Sequence, residues 1–402
     1  MRQVQKHLIK KTHRQFAEID RTAFASKNLF NSAVYICRQA FFNGTPIPSF
    51  NQLYHLLKTG KDYQALPTKV AQLVIKQVVR CFKSYFEAIK AYEKNSDNFF
   101  SRPKLPSYKD KTKGRNVLTY NSQAFSKKWL RQGFISPSGL SLKVPTNLKQ
   151  IEEVRIIPKN NCYVLEAIYT VQEAQLLPQE KVAGVDIGLN NLATVGSSDP
   201  DFKPFIVDGK ALKSCNQFYN KKKAKLQSQL PSNQFTSKKL EGLTLKRNNK
   251  VDYYLHTASR LIINQLLERG VGHLVIGKNE NWKQNIEIGK RNNQNFTQIP
   301  HARFIDQLTY KAELVGIKVT LTEESYTSRC SFPDLEPIKK HTNYKGRRVK
   351  RGLFNSSSGQ KINADLNGCL NILRKVVGDS IFDGKPIERL VVSPVRFQPY
   401  KA

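Results

Sequence analysis

Two aspartates sit where a carboxylate has chemistry open to it. Asp186 ends the apolar run that begins at Val182, and Gly188 behind it allows a tight turn beside an ion. An unpaired carboxylate in such a run is costly to bury, so a ligand role outweighs the alternative of a turn cap. Asp365 opens the stretch ADLNGCLNILRKV, whose Leu366, Leu370, Leu373 and Val377 share one helical face. There an ordinary helix cap competes with a ligand role. Sulfur and imidazole offer less: Cys37, Cys81, Cys162, Cys215, Cys330 and Cys369 are scattered with no C-x-x-C pair, and the histidines lack ligand spacing. That pattern writes neither a disulfide framework nor a zinc knuckle, and a reducing cytoplasm is the expected setting.

The segments that must position these acids alternate. From Lys181 onward KVAGVDIG, LATVG and PFIVDG read as strands, VDYYLHTASRLIINQLLERG as a helix and HLVIG as a strand. PHARFIDQLTYKAELVG is then a helix, IKVTLTEE a strand and ADLNGCLNILRKV a helix. Three strands followed by helix, strand, helix, strand, helix is the order of an RNase H-like α/β domain. Upstream the period is two: FISPSG, LSLKVP and EEVRIIPKNNCYVLEAIYTVQ predict a small antiparallel sheet or barrel, which the N-terminal VQKHLI can join. Between them, residues 16 to about 100 are amphipathic and helical. After Pro67, Val70, Leu73, Val74, Val78, Cys81, Phe82, Phe86 and Ile89 recur at helical steps. Lys69, Gln72 and Lys76 occupy the opposite face, where a solvated surface and a nucleic-acid surface are both open. FFSRPKLPSYKDKTKGRN reads as a linker, and the tail after Gly378 carries no signal.

The 402 residues suit two or three domains, and 66 Lys and Arg against 31 Asp and Glu give a net charge of +35. Such an excess points to polyanionic partners. Residues 210–250 hold 11 basic side chains and one acid, and residues 339–351 hold seven and none. Lys221, Lys222, Lys223, Arg347, Arg348 and Arg351 from these stretches are candidate phosphate contacts. No run approaches the ~18 apolar residues of a membrane span, and the first residues lack the apolar core of a signal peptide, so a soluble, unprocessed protein is expected.

GVDIGLNNLATV, Tyr326 to Ser328 and NADLNGCLNI together resemble the signature segments of the RuvC-like nuclease domain in the TnpB (OrfB) family of bacterial insertion sequences, which is related to the type V CRISPR effectors. RPKLPSYKDK is similar to that family's proline-rich segment before its barrel. The resemblance implies a multidomain α+β protein: a RuvC-like (RNase H-like) α/β nuclease domain plus a wedge-like β-barrel with an inserted helical recognition lobe. It divides the chain into a first barrel strand (1–15), the helical lobe (16–108), the barrel (109–180), the first part of the nuclease domain (181–325), a basic insertion (326–363), the final nuclease helix (364–378) and a tail (379–402). It further implies an RNA-guided DNA endonuclease that cuts next to a short target-adjacent motif with two divalent metals. Magnesium or manganese would be the ion, since hard cations take oxygen ligands. Guide RNA from the transposon end and double-stranded target DNA would be the partners of a monomeric protein with no membrane contact. Lys69, Gln72 and Lys76 are then candidates for the target-adjacent duplex.

The sequence departs from the family in two places. Where relatives carry a second catalytic Glu, at the end of the fourth strand, this chain has Gly277. Glu324, at the end of the next strand, is the first candidate to replace it; Glu323, expected to face away by alternation, and Glu280, in a loop, are the others. The site expected is therefore Asp186, Glu324 and Asp365. Family members also place two C-x-x-C pairs before the last Asp, whereas here only Cys330 and His341 remain, too few for structural zinc. Competing readings are a nuclease-inactive RNA-guided repressor, suggested by Gly277, a transposase, and an RNA chaperone.

Overall fold

The computed structural model describes residues 1–279, 289, 293–294 and 297–399. The chain divides into two compact units, Met1–Val171 and Gln172–Ala402.

The first unit opens with strand β1 (Arg2–Lys10), followed by helices α1 (Phe16–Phe42), α2 (Phe50–Leu57), α3 (Lys61–Gln64) and α4 (Thr68–Lys94). Ser49 and Gln52 cap α2 reciprocally, and Pro67 opens α4, where its missing N–H costs nothing. The apolar stripe of α4, Val70, Ala71, Val74, Ile75, Val78 and Phe82, is buried. Then come β2 (Leu118–Asn121), α5 (Lys127–Arg131), β3 (Phe134–Ile135), β4 (Val144–Pro145), β5 (Glu153–Lys159) and β6 (Cys162–Thr170). Strand β1 pairs antiparallel with β6 along its whole length, as the N-terminal pattern predicts.

The barrel expected from sequence is not closed among the described residues. Its strands form an open four-stranded sheet in the order β1-β6-β5-β2, with β3 and β4 as a separate pair. The apolar face that closure would bury is covered by Ile19, Ala23 and Val70 from the feet of α1 and α4, and by Ile135, Leu140, Leu142 and Val144. The predicted linker is free of helix and strand through residues 102–117, yet strapped to α1. Lys109 exchanges two backbone hydrogen bonds with the Asn31 amide at 2.9 Å each, Arg38 donates to Pro106, and the buried Lys27 donates to Lys111.

The second unit is built on strands β7 (Val182–Ile187), β8 (Asn191–Ser197), β9 (Phe205–Asp208), β10 (His273–Gly277), β11 (Lys318–Thr322) and β15 (Val395–Phe397). They lie in one six-stranded sheet, order β11-β10-β7-β8-β9-β15. Strands β7, β10 and β11 run parallel, whereas β8 is antiparallel to its neighbours. This is the RNase H-like arrangement that the alternating pattern predicts. The tail contributes more than expected, since β15 extends the sheet beside β9.

Period two decides what each face of the sheet carries. Ala183, Val185, Leu274 and Ile276 pack on α7 (Lys238–Glu268) and α8 (His301–Glu313). Val182 and Val275 pack on α9 (Ala364–Val377). The cross-strand partners Gly184 and Gly196 bring α9 close: a Cβ on Gly184 would lie 2.6 Å from the Cys369 carbonyl oxygen, and one on Gly196 2.8 Å from a Leu366 methyl. The basic stretch 210–250 is helical over most of its length. It folds into α6 (Lys210–Gln227) and the first turns of α7, which begins well before the predicted start at Val251 and is capped by Ser237.

Between β11 and α9 lies an insertion with three short strands, β12 (Arg347–Lys350), β13 (Leu353–Asn355) and β14 (Lys361–Asn363). Two carboxylates tie it. The buried Glu336 accepts from the Ser331 and Lys345 amides, each at 2.8 Å, and Asp334 accepts from the Ser357 amide and from the hydroxyls of Ser331 and Ser357. The Cys330 thiol faces the Pro337 and Lys339 carbonyls, and the His341 ring also meets Pro337. No described helix is long and apolar enough to cross a membrane.

Candidate active site

The same alternation that builds the core places Asp186 in the row of Val182 and Gly184, on the α9 side of the sheet. Gly277 falls in the matching row of β10, with Val275, and the parallel register aligns the carboxyl ends of β7, β10 and β11 along one edge. That edge is where α/β sheets present their binding residues.

Asp365 reaches the edge from the start of α9. Helix capping does not occupy it. Asn363 is the cap, its side-chain oxygen accepting from the Asp365 and Leu366 amides at 3.0 and 3.1 Å. The Asp365 carboxylate is instead held by the Asn191 amide at 2.5 Å and by Arg348 of β12 at 3.1 Å. Arg396 in turn donates to Asn191 at 2.9 Å. A cavity of about 410 Å³ opens here, with Asp186, Asp365, Lys210, Arg348, Arg351 and Arg396 in its wall.

Glu324 lies just beyond β11, which ends at Thr322. The side chain crosses the end of β10: a Cβ on Gly277 would lie 2.3 Å from its Oε1 and 2.7 Å from its Cγ. Asn279 donates to Glu324 Oε2 and accepts from the Glu324 amide, both at 2.9 Å. Oε1 is buried and has no hydrogen-bond partner. The alternation that predicts Glu323 on the opposite side fails past the strand end. Glu323 pairs with Lys375 of α9 at 3.0 Å and is exposed. Glu280 lies outside the described residues.

Electrostatics link the three acids. Burial first, then the charges of Glu324 and Asp365, hold Asp186 well above the usual carboxylate range. Burial, then Glu323, pushes Glu324 up to about 7. Hydrogen bonds from Ser325 and Lys375 hold Glu323 below its ordinary value. Among the described residues no three His, Cys, Asp or Glu side chains already converge tightly enough to hold an ion, Asp365 being engaged by Arg348. The donor chemistry nonetheless fits a hard divalent cation. Two carboxylates raised first by burial and then by neighbouring acids, Glu324 and Asp365 for Asp186 and Glu323 for Glu324, one with an orphaned buried oxygen, are groups that a nearby cation would relieve.

The other expected contacts are distributed over separate elements. Lys69 and Lys76 are exposed on α4, Lys76 over the Phe50 ring, and Gln72 is half-buried. Lys221 and Lys222 are exposed on α6 and Lys223 is partly so. Arg347 is exposed on β12, while Arg348 and Arg351 reach the cavity at Asp365. Sequence reasoning missed Asn191, Asn279, Arg396 and the buried His301, whose Nε2 lies 3.2 Å from the Gly188 carbonyl oxygen. It also missed what Asn367 and Asn371 do. Asn371 donates to the Thr327 and Cys330 carbonyls, and Asn367 donates to Cys330 and accepts from the Phe332 amide. The Asn-rich signature around Asp365 was the available signal for these two.

Comparison with known proteins finds partial matches, chiefly along the second unit. Residues 166–283 match the family OrfB_IS605, described as probable transposase, and residues 301–372 match the Cas12f1-like TNB domain. The chain is 28% identical over 232 residues to the TnpB-like protein ORF457 of Acidianus two-tailed virus, covering 55% of this chain and 47% of that one. It is 31% identical over 150 residues to the CRISPR-associated endodeoxyribonuclease Cas12f1 of Sulfoacidibacillus thermotolerans, covering 36% and 32%. It thus spans between a third and a half of the length of these curated relatives. Among solved structures, the Cas12f1–sgRNA–target DNA complex aligns over 92% of this chain and 98% of its own at 14% identity and a TM-score of 0.39. The mini RNA-guided endonuclease Cas-phi3 aligns over 98% and 94% at 10% identity and a TM-score of 0.48. Two segments of the chain thus match models from the TnpB/OrfB and Cas12f1-like families, and its relatives include a TnpB-like protein and a Cas12f1.

Proposed function

We propose that this protein is an RNA-guided DNA endonuclease in which Asp186, Glu324 and Asp365 hold divalent metal at the carboxyl edge of the sheet. The observation that carries the reading is the Glu324 carboxylate lying against Gly277, the position where the family's glutamate would stand, with one oxygen buried and unpartnered. Strand β11 lies two strands from β7, about 10 Å away, and a glutamate reaching across a glycine shortens that gap. Two ions there would activate water and stabilise the leaving oxygen. Magnesium or manganese suits an all-carboxylate set. Arg348, Arg351, Lys210 and Arg396 supply positive charge beside these acids, where a backbone phosphate would enter. Lys69, Gln72 and Lys76 on α4, and Lys221, Lys222, Lys223 and Arg347, are proposed as further nucleic-acid contacts. The relatives' names, one a TnpB-like protein and one an endodeoxyribonuclease, support the same reaction.

The test is reconstitution. The chain is expressed with its flanking locus, the RNA it carries is recovered, and plasmids matching that RNA are offered with magnesium or manganese. Cutting beside a short motif, abolished by chelation, is the expected result. A second reading, the guided repressor, draws on the Arg348–Asp365 ion pair, which occupies a metal ligand with a guanidinium. Matched DNA bound but never cut under either metal would establish that reading instead.

A further inference from the structure

We propose that Asn279 is a positioning residue for the Glu324 carboxylate, and that Gly277 is the vacancy which receives it, so that the three form one unit toward a divalent cation. The inference rests on the reading of Glu324 as a metal ligand.

Asn279 stands two residues beyond the last residue of β10, and Glu324 two beyond the last of β11. The register pairs Gly277 with Thr322, so the two segments leave the sheet side by side. Asn279 then grips Glu324 at two points. Its Nδ2 donates to Oε2, and its Oδ1 accepts from the Glu324 backbone amide, each at 2.9 Å. Thr327 adds two bonds to the Glu324 carbonyl, from its amide at 3.2 Å and its hydroxyl at 2.8 Å. Backbone and side chain are therefore both fixed. The bracket engages one carboxylate oxygen and leaves the other, Oε1, for a cation.

Gly277 supplies the space. Any Cβ there would overlap Oε1 and Cγ of Glu324 and come within 2.7 Å of the Ile372 methyl of α9. Ile372 is buried under the same face, so it does not give way. Glu324 would have to leave. Lys375 acts on Glu324 only through space, its direct bonds going to the Glu323 carboxylate and carbonyl. A glutamate on the next strand thus needs two companions, a glycine to lie over and an amide to hold it. Outer-sphere amides of this kind orient metal ligands, and removing one typically weakens metal binding by about 10- to 100-fold.

The test is a titration of the full-length, RNA-free protein with Mn²⁺ alone, followed by electron paramagnetic resonance, with melting curves taken alongside. Asn279→Ala and Gly277→Ala should each raise the Mn²⁺ dissociation constant by about tenfold or more. Glu323→Gln should leave it unchanged. In a Glu324→Gln background, Asn279→Ala should cost nothing further, because it acts only through that carboxylate. Should Asn279→Ala lower the melting temperature while Mn²⁺ binds as in the parent, Asn279 is a loop staple and the proposal fails. Additive losses in the double variant would overturn it equally. If Asn279→Ala does not fold, Gly277→Ala tests the same unit independently, and normal Mn²⁺ binding there overturns the vacancy. Parent-like binding by Glu324→Gln would defeat the underlying reading of Glu324 itself, an outcome distinct from the others.

Discussion

At the scale of single residues the question is which acid completes the set begun by Asp186 and Asp365. Glu323 and Glu324 are adjacent in sequence and opposite in chemistry. Glu323 is exposed, paired with Lys375 and held below its ordinary pKa, whereas Glu324 is half-buried beside Gly277 and pushed up to about 7. A metal ligand needs the second environment. Glu324→Ala is therefore expected to abolish guided cutting by several orders of magnitude while guided DNA binding persists, and Glu323→Ala to retain cutting within a few-fold. Gel assays of cleavage and binding on the same preparations check both, with Glu280→Ala run beside them. Cutting lost in Glu323→Ala and kept in Glu324→Ala would reverse the assignment. Arg348 shows a limit of reading residues singly: charge alone marks it as a phosphate contact, yet in the folded chain its guanidinium rests on Asp365.

At the scale of elements, α9 joins the carboxyl edge of the sheet to the insertion. Asn371 makes three buried hydrogen bonds, to the Thr327 and Cys330 carbonyls and from Arg374. Asn371→Ala leaves these groups unpaired and should destabilise the second unit by about 1–3 kcal/mol, read by denaturant unfolding. The pair α7 and α8 offers a test of opposite sign. Lys311 is buried and donates to the His256 carbonyl and the Ser259 hydroxyl at 2.7 Å each. Burial, then Arg260, lowers its pKa to about 8 from 10.5. The unfolded chain therefore binds more protons between those two values, and the stability of the parent rises with pH through that window. Lys311→Met removes the buried charge, so it should be more stable than the parent at pH 7 by about 1–2 kcal/mol, the gain shrinking toward pH 10. Melting curves against pH check it; a variant less stable at every pH would refute it.

At the scale of the whole molecule the net charge of +35 governs affinity. If many phosphates are neutralised on guide and target, RNA affinity should fall on the order of 10³-fold between about 50 and 200 mM salt. Filter binding of the recovered RNA measures the slope; a flat dependence would contradict a backbone-reading surface. The insertion adds a second expectation. Glu336 and Asp334 tie it through amides and hydroxyls, so chelation should stop cutting without lowering the melting temperature. A fall in melting temperature with chelator would reveal a structural metal.

The sequence by itself determined what depends on local pattern. Period two wrote the strands and set Asp186 at the end of one of them; period 3.6 wrote α4 and α9; composition wrote the charge. It also named Glu324 from its place at the carboxyl end of a strand, on the edge that presents Asp186, although the alternation invoked for Glu323 stops where β11 stops at Thr322. What tertiary structure alone decided were the contacts between segments far apart in the chain. Whether the first sheet closes depends on the feet of α1 and α4 filling its open face. Whether Asp365 caps its helix depends on Asn363 taking that task and on Asn191 and Arg348 converging from elsewhere. And the fit of Glu324 over Gly277, gripped by Asn279, is a fact of distance between two strand ends, which no periodicity encodes because it exists only once the sheet has assembled.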